Sequence, residues 1–226
     1  MTDIDGMARL SICGIGLVLA SVVMFAQTPT GSGPGPILGI VEIPDMFSFD
    51  PNTGEYAPPR SSLRLFVQPN WDSKVFANIS SREAIDDAGF SHEGNGALVY
   101  GRENGYFLIR TSRGAAWLSP HNAGSFHPYE DLVSGDLSYV TEAWDGFVSE
   151  SPGSALRTRM PQRQPQGEVA RVKGFRTVRG KLWVEIEVIS HSFCESDEPP
   201  KIKARGWIAA HDKANVPTVW FAARGC

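Results

Sequence analysis

Cysteine is scarce in this sequence, with three residues in 226, at positions 13, 194 and 226. That scarcity excludes the densely bridged class of small secreted scaffolds, and zinc motifs built on paired, closely spaced thiols. An excess of charge of one sign is missing too. With 21 Lys and Arg against 25 Asp and Glu, the net charge is −4, and no basic cluster offers the footprint that nucleic acid or an anionic membrane surface requires. Beyond residue 26 no stretch keeps a 3.6-residue hydrophobic period over a helical length, which excludes long amphipathic helices. Catalytic constellations are lacking as well. There is no Gly-x-Ser-x-Gly elbow and no His-x-x-x-His pair with a glutamate, so the expectation is a protein without catalysis, cofactor or metal.

Turn residues are abundant instead. The chain holds 23 Gly and 16 Pro between short apolar runs, the pattern of many short strands. One motif occurs twice. In the first copy Leu63-Arg64-Leu65-Phe66-Val67 runs into the Pro69 turn, Tyr106-Phe107-Leu108-Ile109-Arg110 follows, and Gly114-Ala115-Ala116-Trp117-Leu118 closes. In the second, Phe147-Val148-Ser149 precedes Pro152, Leu182-Trp183-Val184-Glu185-Ile186 follows, and Gly206-Trp207-Ile208 closes. The motif predicts a duplicated small β-barrel.

The N-terminus has the layout of a secretory signal: Arg9, an apolar run from Leu10 to Ala26, then Gln27-Thr28-Pro29. Asp3 and Asp5 outweigh Arg9, so a start at Met7 makes the better signal. Cleavage after Ala26 is expected. The alternative is an uncleaved anchor, since a run of about seventeen residues sits at the lower limit for crossing a bilayer. Cys13 is near the beginning of the run, whereas a lipoprotein cysteine ends it. Either way the folded part is expected outside the cytoplasm, periplasmic or secreted, with the membrane involved only if the signal stays. Cys194 and Cys226 then remain as an even pair in an oxidising compartment and are expected to form a disulfide, worth about 3 kcal/mol in the chain-entropy model. A zinc site made by His191, Cys194, His211 and Cys226 lacks the short paired spacing such sites use.

These signals divide the chain into a signal peptide (1–26), a flexible Gly, Pro and Ser linker (27–36), a first barrel (37–122), a polar linker (123–136) and a second barrel (137–226). Ile37 to Ile43 predicts the first strand, and Asp50-Pro51-Asn52-Thr53-Gly54-Glu55 a turn. Strands are predicted over Leu63–Val67, Lys74–Ile79, Ala97–Tyr100, Tyr106–Thr111 and Ala115–Ser119, with one short helix in Ser80–Ala88. Asn104-Gly105 marks a tight hairpin turn. In the second unit strands are predicted over Leu137–Val140, Phe147–Ser149, Glu168–Phe175, Leu182–Ile189, Ile202–Ala209 and Val216–Ala222. Along Leu182–Ile189, Trp183, Glu185 and Glu187 share one face and Val184, Ile186 and Val188 the other, and the carboxylates Glu185 and Glu187 are expected to meet solvent.

On these residues both units resemble bacterial SH3 domains of the SH3b type. The likeness rests on the apolar strand before a proline turn, on Asn104-Gly105-Tyr106 leading into Phe107 to Arg110, on Gly114 followed by Trp117-Leu118, and on Leu182 to Ile186 with Gly206-Trp207-Ile208. The first unit has Ala115-Ala116 before Trp117 where the family usually has Gly, and Ser190 to Lys201 is an insertion in a hairpin that is usually tight. The resemblance implies an all-β fold of two small SH3-like barrels in tandem behind a signal helix. It also implies binding of a cell-wall peptide or glycan or an envelope protein, without catalysis. A structural or assembly factor of the envelope, and an accessory to a cell-wall hydrolase, are the alternatives.

Trp117, Trp183 and Trp207 are expected in barrel cores. Trp71 and Trp144 lie in polar, turn-like contexts, Asn70-Trp71-Asp72 and Ala143-Trp144-Asp145. Each is either a lid over a barrel end or a stacking surface for a ligand. His121 and His127 flank the polar linker and are expected as surface histidines.

Overall fold

The computed structural model describes residues 34–91, 94–134, 138–160, 168–192, 194–196 and 198–222. The signal segment and Cys226 lie outside the described residues. Among the described residues no helix is long and apolar enough to cross a membrane.

The run from Ile37 to Ile43 holds β1 (Gly39–Glu42). A small ribbon follows, β2 (Phe49–Asp50) with β3 (Glu55–Tyr56). Its turn is set by Asp50, whose carboxylate accepts the Asn52 backbone N–H at 2.9 Å. β4 (Leu63–Phe66) and β5 (Val75–Ile79) make the hairpin around Pro69. The helix predicted in Ser80–Ala88 shrinks to one 3-10 turn, Arg82–Ala84, in which the Ser81 hydroxyl donates to the Glu83 carboxylate rather than capping a backbone N–H. The end of that stretch is a strand, β6 (Asp87–Gly89), drawn into pairing with β7 (Asn95–Glu103). β8 (Tyr106–Thr111) and β9 (Gly114–Leu118) continue the sheet. Asn104 and Gly105 both take positive φ, 50° and 80°, as a primed two-residue hairpin demands.

Residues 126–133, within the segment read as a linker, form β10 (Phe126–Pro128), paired to β1, and then α1 (Tyr129–Val133). The second sheet is built from β11 (Ser138–Val140), β12 (Phe147–Ser149), β13 (Arg157–Arg159), β14 (Glu168–Val178), β15 (Lys181–Ile189), β16 (Ile202–Ala209) and β17 (Val219–Phe221). Its long hairpin turns on Arg179 and Gly180, again both at positive φ, 50° and 74°.

The two sheets follow one plan. The first runs β10-β1-β7-β8-β9-β4-β5, and the second, read from the equivalent end, β17-β11-β14-β15-β16-β12-β13. In each, the entry strand lies beside the long hairpin, the hairpin beside the Trp strand, and the Trp strand beside the strand that precedes the proline turn. The register agrees as well, with Phe66 opposite Trp117 in the first sheet and Ser149 opposite Trp207 in the second. The glycine before Trp207 has a steric reason: Gly206 has φ 155°, and a Cβ there would lie 2.7 Å from the Ser149 carbonyl oxygen. The all-β expectation therefore holds, and the duplication extends to strand order.

The expectation of closed barrels is corrected. Each sheet is an open path, and no pairing joins β10 to β5 or β17 to β13 among the described residues. These end strands have only three to five residues, and part of the apolar surface is covered by the other sheet instead. One cluster, with Val41, Leu65, Ala97, Val99, Phe107, Ile109 and Leu118, fills the inside of the first sheet. The other runs from Ile37, Ile40, Leu98 and Tyr100 through Tyr129 and Val133 to Val140, Val184, Ile186, Val219 and Trp220. Neighbours on β1 and β7 thus enter different cores, which is why these strands read as unbroken apolar runs rather than as an alternation. Tyr129 and Val133, one helical turn apart, place α1 on the same junction.

Candidate functional site

The turn between β4 and β5 is held by hydrogen bonds within itself, one to backbone and one to a side chain. The Val67 N–H donates to the Lys74 carbonyl at 3.0 Å and the Gln68 N–H to the Ser73 hydroxyl at 2.9 Å. This turn carries Trp71, whose side chain is 61% exposed. The indole leans on Phe66, ring centroids 5.9 Å apart, and meets His121 edge-on at 5.5 Å. Phe66 is in turn braced edge-on by Tyr106 at 6.1 Å. Trp71 is therefore an exposed aromatic on a supported base.

More apolar surface surrounds it. Val67, Val75 and Phe76 are all exposed. The register passes from Leu65 opposite Ala77 to Phe66 opposite Val75, so Phe76 is the extra residue of a bulge, with its ring over Gly114. β5 ends the sheet, and among the described residues no strand pairs with its outer side. An edge strand of this kind offers a row of N–H and C=O groups to an incoming chain. Fully burying one large apolar side chain is worth about 1.5–3 kcal/mol, so covering the four that stand exposed around this turn would be favourable.

Trp144 is placed differently. It is 2% exposed, its Nε1–H donates to the Phe147 carbonyl at 2.9 Å, and it belongs to the core shared by the two sheets. At this burial its ring is core surface and is not presented to solvent. The polar neighbours Ala143 and Asp145 concealed this, because a backbone carbonyl three residues on satisfies the one polar atom of the indole. Trp117, Trp183 and Trp207 are half-buried.

The solvated strand face expected on β15 is also corrected. Glu187 is 4% exposed, and its carboxylate is paired with Arg171 on β14 and Arg205 on β16, the residues opposite it on the two flanking strands. Glu168, equally buried, is met by the Lys203 ammonium at 2.9 Å. These carboxylates tie three strands together.

His127 is half-buried, stacks on Phe90 at 4.3 Å and pairs with the Glu42 carboxylate at 2.9 Å. His191 contacts the Ser190 hydroxyl and the Glu198 carbonyl. His211 sits against Tyr129 at the junction of the sheets, where burial pulls its pKa down to about 4. Among the described residues its Nε2 and the Nε1 of Trp220 are buried without a hydrogen-bond partner. Cys194 is engaged in a contact of its own, and Cys226 lies outside the described residues. Among the described residues no three His, Cys, Asp or Glu side chains gather as metal ligands do.

No protein-family model, curated protein or solved structure matches this chain. Of the two tryptophans singled out in the sequence, Trp71 alone faces solvent. Sequence reasoning missed its companions Val67, Val75 and Phe76, which read as ordinary strand residues until β5 is seen at the edge.

Proposed function

We propose that this is an exported, non-enzymatic binding protein of tandem SH3-like units, which captures an extended peptide segment of an envelope protein at the Trp71 turn and the β5 edge. In this reading residues 1–26 direct export, and Cys194 and Cys226 form a disulfide. One observation carries it: Trp71, exposed and braced on Phe66, stands at the start of β5, an apolar edge strand that among the described residues pairs on one side only. An extended peptide gains backbone hydrogen bonds along β5 and anchors a side chain on the indole, the mode of strand addition.

The test is a pulldown from envelope extract, with purified sacculi in parallel, comparing wild type with Trp71→Ala and Phe76→Ala. Wild type is expected to retain an envelope protein that both variants lose. Retention on sacculi alone, or equal retention by wild type and both variants, contradicts the reading.

A second reading, an assembly factor of the envelope, is favoured by the core that runs across both sheets. A rigid pair of units presents one fixed outline to a large partner. Loss of partner capture on disruption of that junction, with Trp71→Ala still competent, supports it over the first.

A further inference from the structure

A second candidate site lies away from the Trp71 turn, where the β2–β3 ribbon, the Arg82–Ala84 turn, β6 and the start of β7 converge. They line a shallow, open cleft of about 250 Å³, bordered by Phe47, Tyr56, Arg82, Glu83, Asp87 and Asn95. That is below the roughly 300–1,000 Å³ of sites for drug-sized molecules, and suits a molecule the size of one amino acid. Phe47 is buried and gives the cleft an apolar wall. The Arg82 guanidinium packs over the Tyr56 ring, 5.1 Å from its centroid. The Asn95 side-chain amide donates to the Asp87 carboxylate at 2.9 Å, fixing that carboxylate in place.

The charges are unusual in what they leave undone. A guanidinium and two carboxylates line one small cleft, yet no ion pair joins Arg82 to Glu83 or Asp87 among the described residues. Arg82 is held by an aromatic face, Glu83 by the Ser81 hydroxyl and Asp87 by Asn95. Asp87 remains open to solvent, and the protein around it raises its pKa above the ordinary carboxylate value, crowding by neighbouring atoms being the first cause and the nearby Asp86 charge another. Arg82 acts on Asp87 only as a nearby charge and not as an ion pair, and opposite charges lining one cleft in this way are complementary to a ligand that carries both. A carboxylate meets the planar fork of an arginine in a strong, charge-assisted pair, and an ammonium does the same with paired carboxylates.

We infer that this cleft binds a small zwitterion, a free amino acid or the like, with its carboxylate on Arg82, its ammonium on Glu83 and Asp87, and its apolar part against Phe47 and Tyr56. The site is independent of the Trp71 surface, so either assignment can fail alone.

The test is an amide NMR titration of the isotope-labelled protein with L-leucine. Its two half-molecules, isoamylamine and 4-methylpentanoate, and the neutral sugar N-acetylglucosamine are titrated in parallel. Leucine is expected to shift the Asn95 side-chain amide saturably, and each half-molecule to bind at least about tenfold more weakly. Arg82→Leu is expected to make leucine and isoamylamine bind alike, and Glu83→Gln together with Asp87→Asn to make leucine and 4-methylpentanoate bind alike, with dispersed spectra showing that both variants fold. The proposal is overturned if leucine leaves Asn95 unmoved, if isoamylamine alone binds as well as leucine, or if the sugar saturates the cleft and leucine does not.

Discussion

The Tyr129 hydroxyl donates to the Val219 carbonyl at 2.9 Å, which bonds the short helix between the two sheets into the last strand of the second. Tyr129 is fully buried, and its ring lies 5.1 Å from His211 and 6.2 Å from Trp220. Tyr129→Phe keeps the packing and removes only the donor, so it is expected to lower stability by about 1–2 kcal/mol. Urea unfolding checks this, and a single unchanged transition midpoint contradicts it.

The junction also sets a pH dependence. Burial holds the His211 pKa at about 4, against an ordinary 6.5, with the Ile37 carbonyl and Asp212 opposing the shift. The unfolded chain therefore binds a proton at this residue before the folded chain does. Stability from this group is fully present above pH 6.5 and is lost as the pH falls toward 4. Melting temperatures between pH 4 and 7 are expected to rise with pH in wild type and to rise less steeply in His211→Gln.

Two glycines separate conformational strain from steric overlap. Gly180 has φ 74° and open space around it, whereas Gly206 has φ 155° and the Ser149 carbonyl 2.7 Å from any Cβ. Gly180→Ala is expected to cost about 1 kcal/mol from the positive φ alone. Gly206→Ala must push two strand backbones apart and is expected to cost about 3 kcal/mol or more. Equal effects in chemical unfolding contradict this account of the glycine before Trp207.

Glu187 predicts an asymmetric response. Its side chain is 5% exposed while that of Arg205 is 61% exposed, so Arg205→Ala leaves Arg171 in place and is expected to cost about 1 kcal/mol or less. Removing Arg171 as well strands a buried carboxylate, and the double variant is expected to lose about 3 kcal/mol. Additivity of the two single variants in a double-mutant cycle contradicts a shared carboxylate.

The strands were largely legible because period-2 patterning survives wherever one face is buried, as along Val184, Ile186 and Val188, and because Asn104-Gly105 and Arg179-Gly180 punctuate the two hairpins. The junction was not. α1 has five residues, too few for a period to show, and β10 reads as polar because Phe126-His127-Pro128 carries one large apolar side chain. Glu187 misled because its two arginine partners are set by register on the flanking strands, and Trp144 stayed open between lid and ligand surface because its place in the core shared by the sheets does not show in its polar local context. Trp71 was legible as an aromatic stranded in a turn, but its meaning depends on β5 being the last strand of its sheet. The cleft at Arg82 and Asp87 draws on four separate elements, and no local pattern could bring them together.

The central claim is that a partner adds to the β5 edge under Trp71. Amide hydrogen exchange across Val75–Ile79, measured on the free protein and on the protein loaded with its captured envelope partner, tests it most directly. The account predicts that binding slows exchange along β5 and shields Trp71 from a soluble quencher, while β13, the equivalent edge of the second sheet, is unchanged. A bound partner that leaves β5 exchange and Trp71 quenching as they were in the free protein contradicts it.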